Sequence, residues 1–165
     1  MKKRTWWIVL LVICQLVSLS GMAGVHYYTK WYGKDIILQT EPVDPQDLFY
    51  GDYVYLNYTI STVPYSKWEG TERITFREKV YVLLRKQGNE YEVKKVVRDK
   101  PNASSEEVVL RAKAMENGDG TLRLEYGLER LYVKEGTGKA IEEQAGRLKV
   151  HVKVSRWHQF IEGTE

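Results

Sequence analysis

Residues 41–58 read Glu-Pro-Val-Asp-Pro-Gln-Asp-Leu-Phe-Tyr-Gly-Asp-Tyr-Val-Tyr-Leu-Asn-Tyr, a sequence that predicts one fixed turn leading into one strand. Its two prolines lack a backbone donor and restrict the residues before them, so they end the strand predicted at 35–40. The second half alternates between apolar and polar positions, as a half-buried strand does. The inward positions are Val54, Leu56, Tyr58 and Ile60.

The same period of two recurs along the rest of the chain and predicts a mainly β, antiparallel domain. Turn signals at 87–89 and 117–120 predict hairpins, since glycine adopts positive φ at little cost. The other predicted strands are 74–84, 91–97, 108–115, 122–126, 131–133, 148–154 and 159–161. Residues 136–146 break the alternation and predict one short helix, and 61–71 predicts a loop.

The N-terminus carries a hydrophobic segment that predicts a membrane anchor. Trp6 to Val25 contains no charge, and about twenty apolar residues suffice to cross the hydrocarbon core. The basic residues 2–4 predict a cytoplasmic N-terminus and an external C-terminal domain in the cell membrane. A cleaved signal peptide is the alternative, but this apolar run is long for one. We therefore expect an anchor at 1–32 and a β-rich domain at 33–165, with the lipid bilayer as a partner through residues 6–25.

The charge and cysteine content of the chain argue against nucleic-acid binding and against thiol catalysis by the domain. The net charge of +3 comes from Lys2, Lys3 and Arg4, because the other residues carry 22 basic and 22 acidic side chains. A neutral domain gives no support for nucleic-acid binding, which needs a basic folded surface. The one cysteine, Cys14, lies in the predicted anchor, so the domain has neither a disulfide nor a catalytic thiol.

The motif Gly-Asp-Tyr-x-x-Leu-x-Tyr is complete at 51–58, and here the chain resembles the GDYXXLXY family of membrane-anchored bacterial proteins. The resemblance extends to Pro-Val-Asp-Pro-x-Asp-Leu at 42–48, Tyr-Gly-Leu-Glu-Arg at 126–130 and Glu-Gly-x-Gly at 135–138. Members often have a basic residue before the glycine, where this chain has Tyr50. The resemblance implies a single-pass anchor and a β-rich extracytoplasmic domain, and it implies no particular activity.

Three aspartates in this block, Asp44, Asp47 and Asp52, are the strongest candidates for a catalytic or cation-binding role. Carboxylates at close spacing can serve acid–base catalysis or hold a hard cation. The spacing does not match a calcium-binding loop, and aspartates near proline commonly cap turns. We favour a structural role for the motif residues over a functional one. They are Asp44, Asp47, Gly51, Asp52, Tyr53, Leu56 and Tyr58.

Aromatic and cationic side chains predict a binding surface. The candidates are Tyr50, Tyr55, Trp68 and Arg130. Tyr55 points away from the buried face of its strand, and exposed aromatic groups can bind a partner or a glycan. The alternative is that the following loop or the helix covers this face, since tyrosine also favours strands in general. The three histidines are spread over the chain and predict no zinc site, which needs three or four converging ligands. We therefore predict no catalytic residue, metal or cofactor.

The leading hypothesis is a non-enzymatic accessory or interaction module that contacts other membrane or envelope proteins. One alternative is a small-ligand or glycan-binding domain. The other is an enzyme that uses the aspartates with Arg130 or Lys79 on a fold similar to that of signal peptidases. The nucleophile motif of those enzymes, Ser-x-Met-Pro, is absent before Gly51, which argues against peptidase chemistry.

Overall fold

The computed structural model describes residues 2–42, 49–50, 53–88, 90–132 and 148–165. Helix α1, Lys2–Tyr32, comes first. It is the one helix among these residues that is long and apolar enough to cross a membrane, with a candidate span from Arg4 to Tyr32, and no residue of its 18-residue apolar window is buried by the rest of the chain. Gly33 follows, and its amide donates to the carbonyl of Thr29 at 2.8 Å.

Twelve strands are found in the described residues after the helix. Their bounds are β1 Lys34–Glu41, β2 Phe49–Tyr50, β3 Tyr53–Tyr55, β4 Asn57–Tyr58, β5 Thr62–Pro64, β6 Glu78–Gln87, β7 Glu90–Val97, β8 Glu107–Glu116, β9 Thr121–Glu125, β10 Arg130–Tyr132, β11 Lys149–Val154 and β12 Gln159–Thr164. A 3-10 turn, Tyr65–Lys67, follows β5. The predicted loop at 61–71 therefore contains an edge strand, a position where Pro64 is tolerated because no neighbour needs its missing amide.

The strands form three antiparallel sheets. Their orders are β12-β11-β1-β4, β10-β3-β2 and β5-β9-β8-β6-β7. The prediction of a mainly β, antiparallel fold after an N-terminal apolar helix is confirmed. The short helix predicted at 136–146 lies outside the described residues.

One continuous core joins the inner faces of the sheets. Alternating residues of β6 and β8 point inward, among them Val80, Val82 and Leu110, and each is almost completely buried. Ile36 and Val152, from β1 and β11, belong to the same cluster. Burial of branched aliphatic side chains from every sheet supplies the main stabilising term, since each contributes about 1.5–3 kcal/mol.

The strand predicted from residue 53 onward divides in two. β3 pairs with β10, whereas β4 pairs with β1 of a different sheet. At Leu56, between them, the amide donates to the carbonyl of Glu129 at 2.7 Å. All four predicted inward positions are buried, so the alternation predicted the buried face correctly. It did not predict the change of sheet.

Two buried tyrosines fasten this crossing segment to the rest of the domain. The Tyr58 hydroxyl donates to the carbonyl of Leu128 at 2.5 Å, and the Tyr126 hydroxyl donates to the carbonyl of Ile60 at 2.7 Å. Burial, with a smaller effect of the Glu129 charge, raises the pKa of both phenols well above the usual range. Both therefore stay neutral hydrogen-bond donors.

Replacement of Tyr58 by Phe should lower the free energy of unfolding. The change leaves the Leu128 carbonyl buried without its donor, which costs about 1–3 kcal/mol. Urea unfolding of the full-length protein in detergent, followed by circular dichroism, measures the loss. Tyr132→Phe is the matched control, since Tyr132 is 74% exposed and its hydroxyl makes no hydrogen bond within the described part. Equal stabilities of the two variants would contradict the assigned role of the Tyr58 hydroxyl.

Acid should destabilise the domain through two carboxylates. The bond from Lys94 and the amide of Ser104 lower the pKa of Glu107 to about 2, and Arg98 and Thr75 do the same for Glu78. A lowered folded-state pKa gives stability that is present above the ordinary value of 4.5 and is lost as the pH falls toward 2. Thermal unfolding between pH 6 and about 2 tests this.

Glu107→Gln should flatten that pH profile. Its melting temperature should lie below that of the wild type at pH 6, and the gap should close as the pH approaches about 2. Glu116→Gln serves as the control, because Glu116 is exposed and makes no ion pair in the described residues. A wild-type profile that stays level through acid pH would refute the contribution of these carboxylates.

Candidate functional site: a basic groove lined by tyrosines

A wide groove of about 990 Å³ lies between the β3–β10 pair and the outer face of the five-stranded sheet. Three strands, β6, β8 and β9, contribute its base, and the turn from β9 to β10 contributes one wall. The lining residues are Tyr55, Arg77, Lys79, Val80, Tyr81, Arg111, Ala112, Lys113, Glu125, Tyr126, Gly127, Glu129, Arg130, Tyr132 and Gln159. Five of these side chains are cationic and two are anionic.

Gln159, from β12 of another sheet, closes the base of the groove. Its side-chain amide accepts from the backbone amide of Arg111 at 2.9 Å and donates to the carbonyl of the same residue at 2.9 Å. The amide nitrogen also donates to the carbonyl of Tyr126 at 2.7 Å. β9 pairs with β8 only from Lys113 onward. Gln159 therefore supplies hydrogen-bond partners to the backbone amide and carbonyl of Arg111, which lies beyond the residues of β8 that pair with β9.

The wall between β9 and β10 is held by Glu129. Its carboxylate accepts from the amides of Tyr126 and Gly127, the latter at 3.2 Å. Gly127 has a φ of 73°, a conformation that glycine adopts without a steric penalty. This turn places Arg130 over the ring of Tyr53, with the guanidinium carbon 5.2 Å from the centroid. The carboxylate is thus committed to the turn and does not neutralise the cations across the groove.

Four cations in the groove make no side-chain hydrogen bond or ion pair to any described residue. Arg130 stacks on Tyr53, and the other three are Lys79, Arg111 and Lys113. Lys79 and Lys113 stand directly opposite each other in the register of β6 and β8. Like charges at facing positions of an antiparallel pair repel and destabilise the sheet. A fold that keeps such a pair at a groove has a surface suited to an anionic group.

At the rim, Arg77 is held in an unfavourable backbone conformation. Its φ is 56°, in the left-handed region that costs a residue with a Cβ about 1–2 kcal/mol. Its guanidinium forms an ion pair with Glu125 at 2.8 Å. The neighbouring Phe76 is 81% exposed. The turn therefore places Arg77, whose backbone is strained and whose side chain is charged, at the edge of the groove.

The groove contains two of the residues predicted as a binding surface, Tyr55 and Arg130. Trp68 lies elsewhere: its indole donates to the carbonyl of Glu72 at 2.9 Å, and Arg98 stacks on its ring at 5.3 Å. The backbone of Tyr50 pairs with Tyr53. The four predicted residues do not form one surface in the described structure, since Trp68 does not line the groove.

The predicted motif residues fall into two groups. Leu56 and Tyr58 are fully buried, and Tyr53 is half-buried beneath Arg130. The remaining four, Asp44, Asp47, Gly51 and Asp52, lie outside the described residues, so their predicted roles stay predictions. Among the described residues, no three His, Cys, Asp or Glu side chains converge as a metal site would require.

Neither the grouping of the unpaired cations nor the histidine contact is predicted from the sequence, which offers only Lys79 or Arg130 as a partner of the aspartates. Lys79 and Arg111 are separated by more than thirty positions, and only the register of β6 and β8 brings them to one face. The positions of His26 and His158 in the sequence indicate no contact between them, yet their ring centroids lie 5.8 Å apart. Cross-strand register depends on contacts that no single segment of sequence records.

The comparisons with known proteins identify a family. The profile of the GDYXXLXY protein family matches residues 15–160, which is most of the chain. The chain belongs to the GDYXXLXY family. Searches of curated proteins and of solved structures found no significant match. Within this GDYXXLXY domain the motif positions Leu56 and Tyr58 are core residues, so part of the family motif maintains the fold beside the groove.

Lys79→Gln should raise the melting temperature at low ionic strength. The substitution removes the repulsion from Lys113, which is worth about 0.2–1 kcal/mol for facing pairs. The gain should shrink at about 1 M salt, where the screening length falls to roughly 3 Å. Lys86→Gln, an exposed lysine at the far end of the same strand, is the control. Destabilisation by Lys79→Gln at low salt would contradict the repulsion.

Proposed function

We propose that the protein is a single-pass membrane protein whose β domain binds an acidic segment of another envelope or membrane protein. Residues 1–32 would form the cytoplasmic flank and anchor, and 33–165 the domain outside the membrane. The length and apolar character of α1, and the basic residues 2–4 in its first turn, support this topology. The protein would act as an accessory without catalysing a reaction.

The groove carries this proposal. Lys79, Arg111 and Lys113 have no anionic partner among the described residues, and Tyr55, Tyr81 and Tyr132 line the same groove. Tyrosine and arginine are enriched at protein–protein interfaces and supply most of their binding energy. A carboxylate between Lys79 and Lys113 would replace their mutual repulsion by two attractions.

The character of the groove favours a protein segment over a small metabolite. Small-molecule pockets are mostly apolar, with a few polar groups, and enclose most of the ligand. This groove is open, and charged side chains from four strands are spread along it. An extended peptide with acidic residues and interspersed apolar groups matches such a lining. Charge complementarity would speed association and favour acidic partners over neutral ones.

A fluorescent peptide of alternating Glu and Leu provides a direct probe of this site. Full-length protein in neutral detergent should bind the peptide, as measured by fluorescence anisotropy, and a Lys–Leu peptide of the same length should not bind. Lys79→Glu/Lys113→Glu should weaken binding at least about tenfold, since like charges at an interface cost several kcal/mol. The affinity of the wild type should fall as salt is added.

The matched control reverses two exposed lysines outside the groove, Lys86→Glu/Lys149→Glu, and changes the net charge by the same amount. Equal weakening by both double variants would show that the peptide responds to overall charge, and would refute a defined site. In cells, crosslinking of the tagged protein should recover a partner that the groove variant loses and the control retains. Retention by both variants would count against the groove as the docking surface.

A further inference from the structure

The end of α1 is docked against the turn between β11 and β12, residues 155–158. Thr29 is completely buried, whereas helix residues 4–28 and 30–32 are exposed. Its hydroxyl lies 2.8 Å from the hydroxyl of Ser155 and also donates to the carbonyl of Val25 at 2.8 Å. The amide of His158 donates to the Ser155 hydroxyl at 3.1 Å, which closes the turn. The helix and the domain are therefore joined by more than the covalent chain.

Aromatic rings extend this contact toward the hydrophobic segment. The ring of His26 lies 4.6 Å from that of Phe160, and Tyr28 lies 6.0 Å from Trp157. Burial, with repulsion from His26 and Arg111, lowers the pKa of His158. A neutral imidazole suits packing against Phe160. The turn thus lies alongside residues 26–29 of the helix, about one turn before its C-terminal end.

The length of the helix places this turn relative to the hydrocarbon core. Residues 6–25 cover about 30 Å at 1.5 Å per residue, which is the thickness of that core. Thr29 then lies about 6 Å beyond its edge, and the headgroup layer on each side is about 5–7 Å thick. Ser155 contacts Thr29, so the turn that it begins lies at headgroup depth.

The side chains at this end of the domain suit a lipid interface. Trp157 is 57% exposed and Trp31 is 74% exposed, and tryptophan favours the boundary between hydrocarbon and water. Arg156 is exposed beside Lys100, whose ammonium donates to the Arg156 carbonyl at 2.9 Å. Burial and repulsion from Arg156 lower the pKa of Lys100. Neighbouring phosphates would offset that repulsion.

We propose that residues 155–158 are a membrane-seating turn, with Trp157 in the headgroup layer and Arg156 and Lys100 against lipid phosphates. The partner is the bilayer that holds the protein's own helix, so the inference rests on the proposed membrane anchoring. The seating turn and the docked helix would hold the domain at one height and tilt. The groove would then face its partner in a fixed orientation.

Spin labels on the full-length protein in phosphatidylcholine–phosphatidylglycerol nanodiscs test the seating turn. One label replaces Arg156 (Arg156→Cys) and a matched one replaces exposed Lys149 (Lys149→Cys), both in a Cys14→Ser background. Lys149 lies on the same strand as Val154, about 16 Å farther from the turn. Native Cys14, inside the apolar segment, carries the third label. Collisions with oxygen report the bilayer, and collisions with a water-soluble nickel chelate report solvent.

The label at 156 should be at least threefold less accessible to the nickel chelate than the label at 149, and more accessible to oxygen. Equal nickel accessibility at 156 and 149, with Cys14 protected, would overturn the seating turn and leave the anchor intact. A Cys14 label that is open to nickel would refute the anchor and the seating turn together. A Thr29→Val/Ser155→Ala variant that folds normally should bring the label at 156 closer to the solvent value.

Discussion

The whole domain depends on one short segment that serves two sheets. From Tyr53 to Tyr58 the side chains alternate without a break, yet the backbone leaves the sheet of β10 and joins that of β1. Leu56 sits at the crossing, fully buried, with its amide bonded to the Glu129 carbonyl. Because the same residues fill the core from both sheets, neither sheet can shift without the other. The buried Tyr58 hydroxyl fixes the crossing at its far end.

That crossing also positions the candidate site. The Leu56–Glu129 bond ties the crossing segment to the turn that carries Arg130, and the Glu129 carboxylate organises the same turn. Residues that build the core thus determine where a groove side chain stands. Gln159 adds a third tie from the four-stranded sheet to Arg111. All three sheets therefore contribute to the geometry of the groove, which gives the unpaired cations a rigid base.

Local patterns predicted the strands and their buried faces, because burial on one face imposes a period of two on each segment. They could not assign Val54 and Tyr58 to different sheets, since pairing is decided by distant residues. The groove illustrates the same limit. The sequence predicts Tyr55 and Arg130 as parts of a binding surface. It offers Lys79 as a partner of the aspartates in an enzyme, whereas nothing in it singles out Lys113. Only the register of their strands makes their charges face each other.

The pairing of β1 with β11 has a consequence for the order in which the protein is completed. Lys34 pairs with Val154, so the first strand after the helix finds its main partner only after more than a hundred further residues have been made. Contacts so far apart in sequence close slowly, because a long loop must be ordered first. Until then the edge of β1 toward β11 is unpaired, and Thr29 has no Ser155 to meet. The helix can be in place long before the domain that packs on it. The contacts that residues 29–34 make with Ser155 and β11 are therefore among the last to form.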